Sequence, residues 1–106
     1  MANIKLDLTD LLDEIIAKGK YSNLQMNYYF NTKGYSKKER AFITNMIHNT
    51  LKQLIFIDYL IEKKSKNIKK RKIKQLLRLS VCQFLNGNKE DYAGIVYEAV
   101  EIAKII

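Results

Sequence analysis

The chain has 106 residues, 47% of them hydrophobic, which is enough for one small buried core and excludes a disordered chain. Its single cysteine excludes an intramolecular disulfide and a multi-cysteine metal site, and the absence of proline favours long helices. The formal net charge is +8; residues 1–14 carry −3 and residues 89–106 carry −2, which leaves +13 on residues 15–88 and predicts a polyanionic partner.

Hydrophobic residues at helical spacing predict five helices in chain order. The first covers residues 7–18, and its leucines and isoleucines form one apolar face. The second covers residues 22–31, with Leu24 and Tyr28 predicted to face inward and Gly34 to end it.

The third helix has the clearest start in the chain, because Ser36 and Glu39 have the spacing of a capping box ahead of an apolar run. The apolar pattern continues to about residue 63. Between residues 51 and 61 apolar side chains occur almost all round, which predicts a central helix surrounded by others. A straight helix of this length would span roughly 40 Å, so a break is predicted near residues 52–53.

A basic linker over residues 63–72 leads into the fourth helix, predicted over residues 69–85, and the fifth is predicted over residues 91–106. The chain ends in mid-pattern on Ile105 and Ile106, which we interpret as a domain cut from a longer protein. The predicted core face of the fourth helix consists of Ile73, Leu76, Leu77, Ser80, Val81 and Phe84.

No catalytic arrangement is evident in the residues. A serine or cysteine triad needs a histidine, and the chain contains only His48, interpreted as a polar helix residue. Cys82 lacks an evident activating neighbour and is predicted to pack inside a helix bundle. The acids Asp10, Asp13 and Glu14 are predicted to be solvated helix charges. We therefore predict that this chain is not an enzyme by itself and holds no metal.

The basic residues are the positive signal for function. Arg71, Lys74 and Arg78 share one helix face at i, i+3 and i+7, where they could follow a phosphate backbone. Tyr29 and Tyr35 are the aromatic residues predicted to be exposed for base stacking. The residues thus predict an all-α, cytoplasmic domain that binds RNA or DNA, with an incidentally basic protein-interaction domain as the alternative.

Four blocks of sequence, in order, resemble one family. They are KGKYSN (18–23), ERAFITNMIHNTLK (39–52), LLRLSVCQFL (76–85) and DYAGIVYEAVEIAK (91–104). They are similar to the NusB-like domain at the N-terminus of bacterial small-subunit rRNA cytosine-C5 methyltransferases of the Sun/Fmu type, and at a lower level to the transcription antitermination factor NusB. The resemblance implies one all-α NusB-like helical bundle over residues 1–106 that lacks its last helix.

The resemblance also implies which residues contact RNA. In the family pattern, Arg40 matches an arginine, Lys52 stands at an arginine, and Lys5 stands at an arginine of the first helix; Asn49 stands at a glycine. Arg40 and Arg78 have a structural alternative, in which they tie helices together through carboxylates. With the charge geometry added, the predicted RNA-binding residues are Lys5, Arg40, Lys52, Lys69, Lys70, Arg71, Lys74 and Arg78.

Several expectations about partners follow from the resemblance. The RNA is expected to be small-subunit rRNA, and a methyltransferase domain that binds S-adenosylmethionine is expected in cis, outside these residues. No cofactor and no membrane are expected for the chain itself. A dimer through the face left by the missing helix is a further expectation, and a free-standing NusB-type antitermination factor is the alternative function.

Overall fold

A computed structural model of the chain describes residues 3–65 and 68–106. Within these residues there is no strand, and no helix is long and apolar enough to cross a membrane. The predicted all-α class is confirmed. The elements are α1 (Ile4–Ile16), α2 (Ser22–Lys33), α3 (Lys37–Lys52), α4 (Leu54–Lys64), α5 (Arg71–Asn86), a 3₁₀ turn (Lys89–Asp91) and α6 (Tyr92–Ala103).

Local sequence signals set the helix ends. The capping box is present: the Ser36 hydroxyl accepts from the Glu39 backbone N–H at 3.2 Å, and the Glu39 carboxylate accepts from the Ser36 N–H at 2.7 Å. α2 ends at Gly34, whose φ of 65° is in the left-handed region that favours glycine. The predicted break near residues 52–53 is confirmed, because Gln53 separates α3 from α4.

α5 is the centre of the bundle and packs against α1, α3, α4 and α6. Its Leu79 and Cys82 are fully buried, which confirms Cys82 as a packing residue. The prediction of a central helix over residues 51–61 was wrong. α4 packs against α3 and α5, and its outer side leaves Ile55 90% and Tyr59 52% exposed.

The apolar face of α1 is as predicted, but the face of α2 is not. Met26 is buried, whereas Leu24 and Tyr28 are 64% and 62% exposed. α2 packs only its Met26 side onto α1 and α3, so the outer apolar side chains have no neighbours. The two predicted inward residues therefore lie on the surface.

The polar residues in the middle of α3 divide between surface and core. His48 is exposed, whereas Thr50 is fully buried. The Thr50 hydroxyl donates to the Met46 backbone carbonyl at 2.7 Å, so its burial leaves no unsatisfied donor. The polar residues in the middle of α3 therefore do not disturb its buried face, because His48 points to solvent and the Thr50 hydroxyl is satisfied within the helix.

Candidate RNA interface

Five lysines lie where α4 ends and α5 begins, and we call this set the basic junction. Lys74 lines a hollow there together with Ile61, Glu62 and Ile68, so it faces the end of α4. Within residues 3–65 and 68–106, none of the five pairs with a carboxylate. Lys66 belongs to the same run but lies outside the described residues. The basic junction consists of Lys63, Lys64, Lys69, Lys70 and Lys74.

The N-terminus of α5 opens into the basic junction. Its N-cap residue, Lys70, makes no capping hydrogen bond through its side chain. The first backbone N–H groups of a helix point along its axis without intrahelical partners, and the helix dipole adds partial positive charge there. An oligoanion at this end would meet both lysine side chains and these N–H groups. The geometry thus favours phosphate binding at the start of α5.

Arg71 lies beside the basic junction but points toward α1. Its Nε and Nη2 donate to the two carboxylate oxygens of Asp13 at 2.8 and 3.0 Å. The hydrogen bond to Asp13 raises the pKa of the Arg71 guanidinium. Lys72 forms a similar contact with Asp10 at 3.1 Å. These two cations are therefore largely neutralised by α1, although the Arg71 side chain is 58% exposed.

Arg78 ties two helices together through a carboxylate, as the structural alternative expected. Its Nε and Nη2 donate to the Asp58 carboxylate at 2.7 and 2.8 Å, and Nη1 donates to Gln75 Oε1 at 2.9 Å. Gln75 Nε2 in turn donates to Asp13 Oδ1 at 3.3 Å. A polar network thus joins α1, α5 and α4. Arg78 is only 7% exposed, so it is not placed to contact a phosphate.

This network contains buried structural side chains that the sequence analysis missed. Asp13 is 2% exposed and not a solvated helix charge, which corrects the prediction for that residue. Gln75 is 1% exposed. One sequence pattern could have predicted the network. Arg71, Gln75 and Arg78 form a polar stripe at i, i+4 and i+7, and this stripe of α5 faces α1 and α4.

Lys5 also lies inside the bundle. It is 4% exposed, and its ammonium group donates to Gln83 Oε1 on α5 at 2.6 Å. Burial lowers the pKa of Lys5, and the nearby charge of Glu98 partly opposes this. The residue ties α1 to α5 in this structure, so its side chain is not available to RNA.

Arg40 and Lys52 are both exposed on α3 and do not belong to the basic junction. Arg40 lies over the Phe30 ring of α2, with its guanidinium carbon 6.0 Å from the ring centroid. Lys52 is next to Gln53, which accepts from Asn86 at the C-terminal end of α5. The two ends of α5 are roughly 22 Å apart. Lys52 therefore cannot share one phosphate contact region with Lys69, Lys70 and Lys74.

Exposed aromatic residues differ from those predicted. Tyr35 is 4% exposed and its hydroxyl donates to Asp7, which corrects the prediction of exposure. Tyr29 is half-buried, and burial raises its pKa to about 12. Tyr21, the N-cap residue of α2, is 78% exposed instead, and Tyr28 on α2 is 62% exposed. These two rings are available for base stacking, as are the exposed rings of Tyr59 and Tyr97 elsewhere on the surface.

Titratable groups in the described part of the chain do not assemble a metal centre: no three His, Cys, Asp or Glu side chains are placed to hold an ion. The chemistry that the surface supports is electrostatic binding of a polyanion. It comes from the basic junction, the α5 N-terminus and, on α3, Arg40 and Lys52.

Comparison with known proteins gives the family. The sequence profile described as the NusB family matches residues 4–106. The chain is also 35% identical over 88 residues to a protein of Bacillus subtilis (strain 168) named probable ribosomal RNA small subunit methyltransferase B. That match covers 80% of this chain and 20% of the relative, so the chain spans about a fifth of the relative's length. No solved structure matches the chain. The resemblance found in the sequence is confirmed, and the chain belongs to the NusB family.

Proposed function

We propose that this chain is an RNA-docking domain that works with an rRNA cytosine-C5 methyltransferase acting on small-subunit rRNA in the cytoplasm. The observation that carries the proposal is the 35% identity over 88 residues to a relative named as a small-subunit rRNA methyltransferase. The catalytic domain would lie in cis, outside residues 1–106, and would bind S-adenosylmethionine. Residues 1–106 would bind substrate RNA without doing chemistry.

The basic junction supports this proposal as the principal phosphate-binding surface. Its five lysines are not engaged with carboxylates in the described residues, in contrast to Arg71, Lys72 and Arg78. An unpaired lysine can release a condensed counterion when it binds a phosphate, whereas a paired cation must first lose its carboxylate. Lys69, Lys70 and Lys74 therefore carry most of the predicted affinity, with Arg40 and Lys52 as two separate additional contacts on α3.

The test is a triple charge reversal at Lys69, Lys70 and Lys74, each changed to Glu. We expect affinity for small-subunit rRNA fragments to fall by at least about tenfold, measured by fluorescence anisotropy at fixed salt. Arg71 is left unchanged, because Arg71→Glu would place a carboxylate against the buried Asp13 and destabilise the fold. Circular dichroism checks that the variant remains folded.

A matched control reverses three exposed lysines elsewhere, Lys37→Glu, Lys38→Glu and Lys89→Glu, and so makes the same change in net charge. We expect this control to lose much less affinity. Equal losses in the two variants would mean that binding follows net charge or uses α3, and would exclude the basic junction as the docking surface.

A free-standing NusB-type antitermination factor is the second candidate, favoured by the family match over nearly the whole chain. Sequencing the source gene past codon 106 distinguishes the methyltransferase docking domain from the free-standing antitermination factor. An open frame continuing into a methyltransferase domain supports docking. A stop codon soon after supports the antitermination factor, and antitermination RNA should then bind more tightly than rRNA fragments. Absence of RNA affinity at low salt would favour a protein-interaction domain.

A further inference from the structure

The outer face of α4 combines exposed aromatic rings with lysines. Phe56 and Tyr59 are 51% and 52% exposed, and the Lys63 ammonium lies over the Tyr59 ring, 4.8 Å from its centroid. Lys52 is the exposed last residue of α3, immediately before the break that begins α4. We name Lys52, Phe56, Tyr59 and Lys63 the α4 track. Sites for single-stranded nucleic acid are built from exposed rings with cations beside them.

The two acids of α4 lie outside the α4 track. Asp58 and Glu62 are spaced i and i+4, so they share one row of the helix, and Tyr59 belongs to the next row. The Asp58 carboxylate accepts both of its ion-pair hydrogen bonds from Arg78, and Glu62 lines the hollow that also contains Lys74. The exposed rings therefore lie between two cations, an arrangement that favours a polyanion.

The α4 track connects cations that are otherwise far apart. Lys63 belongs to the basic junction at the C-terminal end of α4, and Lys52 lies at the opposite end of the helix. α4 has 11 residues and is therefore roughly 16 Å long. A strand that leaves the basic junction along this helix meets Tyr59 first, then Phe56, and then Lys52.

The spacing of the two rings suits consecutive bases. Phe56 and Tyr59 are three positions apart, which is roughly 4.5 Å along the helix axis. This rise is of the same order as the roughly 3.4 Å between neighbouring bases along one strand. Continuity with the basic junction and this spacing favour RNA over an acidic peptide as the polyanion.

We propose that the α4 track binds single-stranded RNA, with successive bases stacked on Tyr59 and Phe56 and with Lys63 and Lys52 at the neighbouring phosphates. This inference rests on the RNA-docking function proposed above, and it specifies the form of RNA and its path over the surface. A duplex should bind this face less well, because its bases already stack on one another. Preference for base identity should be weak, because every base has a π-face.

Tyr59→Leu and Phe56→Leu test the stacking, because leucine keeps an apolar side chain but removes the ring. The probe is a labelled oligouridylate of about 12 nucleotides, and fluorescence anisotropy measures its affinity. We expect each variant to bind roughly tenfold more weakly, whereas Tyr59→Phe should bind like the parent protein. Circular dichroism checks that each variant is folded.

Two controls remove exposed side chains outside the α4 track. Tyr97→Leu removes a ring of α6 that is 67% exposed, and Ile55→Ser removes an aliphatic side chain of α4 that is 90% exposed. Both should change the affinity for oligouridylate by less than about twofold, because neither removes a stacking ring of the track.

A tryptophan reporter gives a direct signal of stacking. The sequence contains no tryptophan, so Tyr59→Trp introduces a single indole. Oligouridylate should quench its fluorescence, and it should quench a Tyr97→Trp reporter much less. Salt dependence separates the rings from the cations: Tyr59→Leu should leave the slope of log K against log salt unchanged, and Lys63→Gln should make it shallower by about one.

Three results would overturn the α4 track and leave the docking function untouched, provided that rRNA fragments still bind. The first is equal affinity for oligouridylate in the parent and both leucine variants. The second is a duplex of the same length that binds as tightly as the single strand. The third is a loss in Ile55→Ser as large as that in Tyr59→Leu, which would indicate a general apolar contact suited to a protein. A parent protein that binds neither oligouridylate nor rRNA fragments at low salt would overturn both proposals.

Discussion

Lys74 and Arg78 are one helical turn apart on α5, yet only Arg78 has its charge paired with a carboxylate in the structure. Arg78 is buried and held by Asp58 and Gln75. Lys74 lines the hollow at the end of α4 together with Glu62, and it forms no ion pair within the described residues. A buried guanidinium that is fully hydrogen-bonded fixes the relation between helices, and an unpaired lysine remains available to a partner. Burial and partners therefore decide which cation is structural.

We predict that Arg78→Met destabilises the fold by about 3 kcal/mol, because it leaves the partly buried Asp58 carboxylate and the buried Gln75 side-chain oxygen without their donor. Urea denaturation followed by circular dichroism measures the change. Lys104→Met is the control: its pair with Glu101 is exposed on both sides, so its effect should stay within about 0.5 kcal/mol.

The double variant Arg78→Met with Asp58→Leu should recover part of the loss, because no charge is then left unpaired. An Arg78→Met protein as stable as the parent would contradict the assigned role of this ion pair.

Tyrosine burial predicts a loss of stability at alkaline pH. The pKa of Tyr29 is raised from 10.0 to about 12, first by burial and then by nearby carboxylates, and that of Tyr35 is raised for the same first reason. A raised pKa means that the folded state resists ionisation more than the unfolded state does. The stabilisation is therefore complete below pH 10 and is lost as pH rises through about 12.

Tyr29→Phe should flatten this alkaline decline, and Tyr21→Phe, on a residue 78% exposed, should not. The free energy of unfolding in urea at several pH values between 9 and about 12 gives the slopes. An unchanged slope in Tyr29→Phe would show that other groups control the decline.

At the scale of elements, apolar content alone did not locate the central helix. α4 is apolar almost all round, but it lies at the side of the bundle and exposes Ile55 and Phe56. α5 carries a polar stripe and is central, because Asp13 and Asp58 on its neighbours satisfy that stripe. A polar residue is compatible with a central helix when its partner comes from another element, which sequence periodicity does not report.

The capping box at the start of α3 involves only residues close in the chain. Removing it should therefore change the free energy of unfolding by the amount typical of a single helix cap. Ser36→Ala should cost about 1 kcal/mol, because the Glu39 backbone N–H loses its acceptor at the helix terminus. Thermal or urea unfolding measures the loss. Ser22→Ala is the control, because α2 has no side-chain cap within the described residues, and its effect should be close to zero.

A full loss of about 1 kcal/mol in Ser22→Ala, or none in Ser36→Ala, would contradict this account of the two helix starts.

At the scale of the whole molecule, the surplus of positive charge predicts salt-sensitive RNA binding. If the five lysines of the basic junction each neutralise one phosphate, log K should fall with log salt at a slope of roughly −4.5. In the triple charge-reversal variant the residual slope should be clearly shallower. A titration at several salt concentrations measures both, and a flat slope for the parent protein would exclude a phosphate-binding role.

The sequence by itself determined the helical class, the capping box at Ser36, the break near Gln53 and the family, because each depends on residues close in the chain or on patterns along it. Only the tertiary structure decided which cations are free. Lys5, Arg71 and Arg78 are engaged by Gln83, Asp13 and Asp58, partners between 20 and 78 positions away. Spacing along one helix cannot show such partners, because charge pairing and burial depend on how the helices pack around α5.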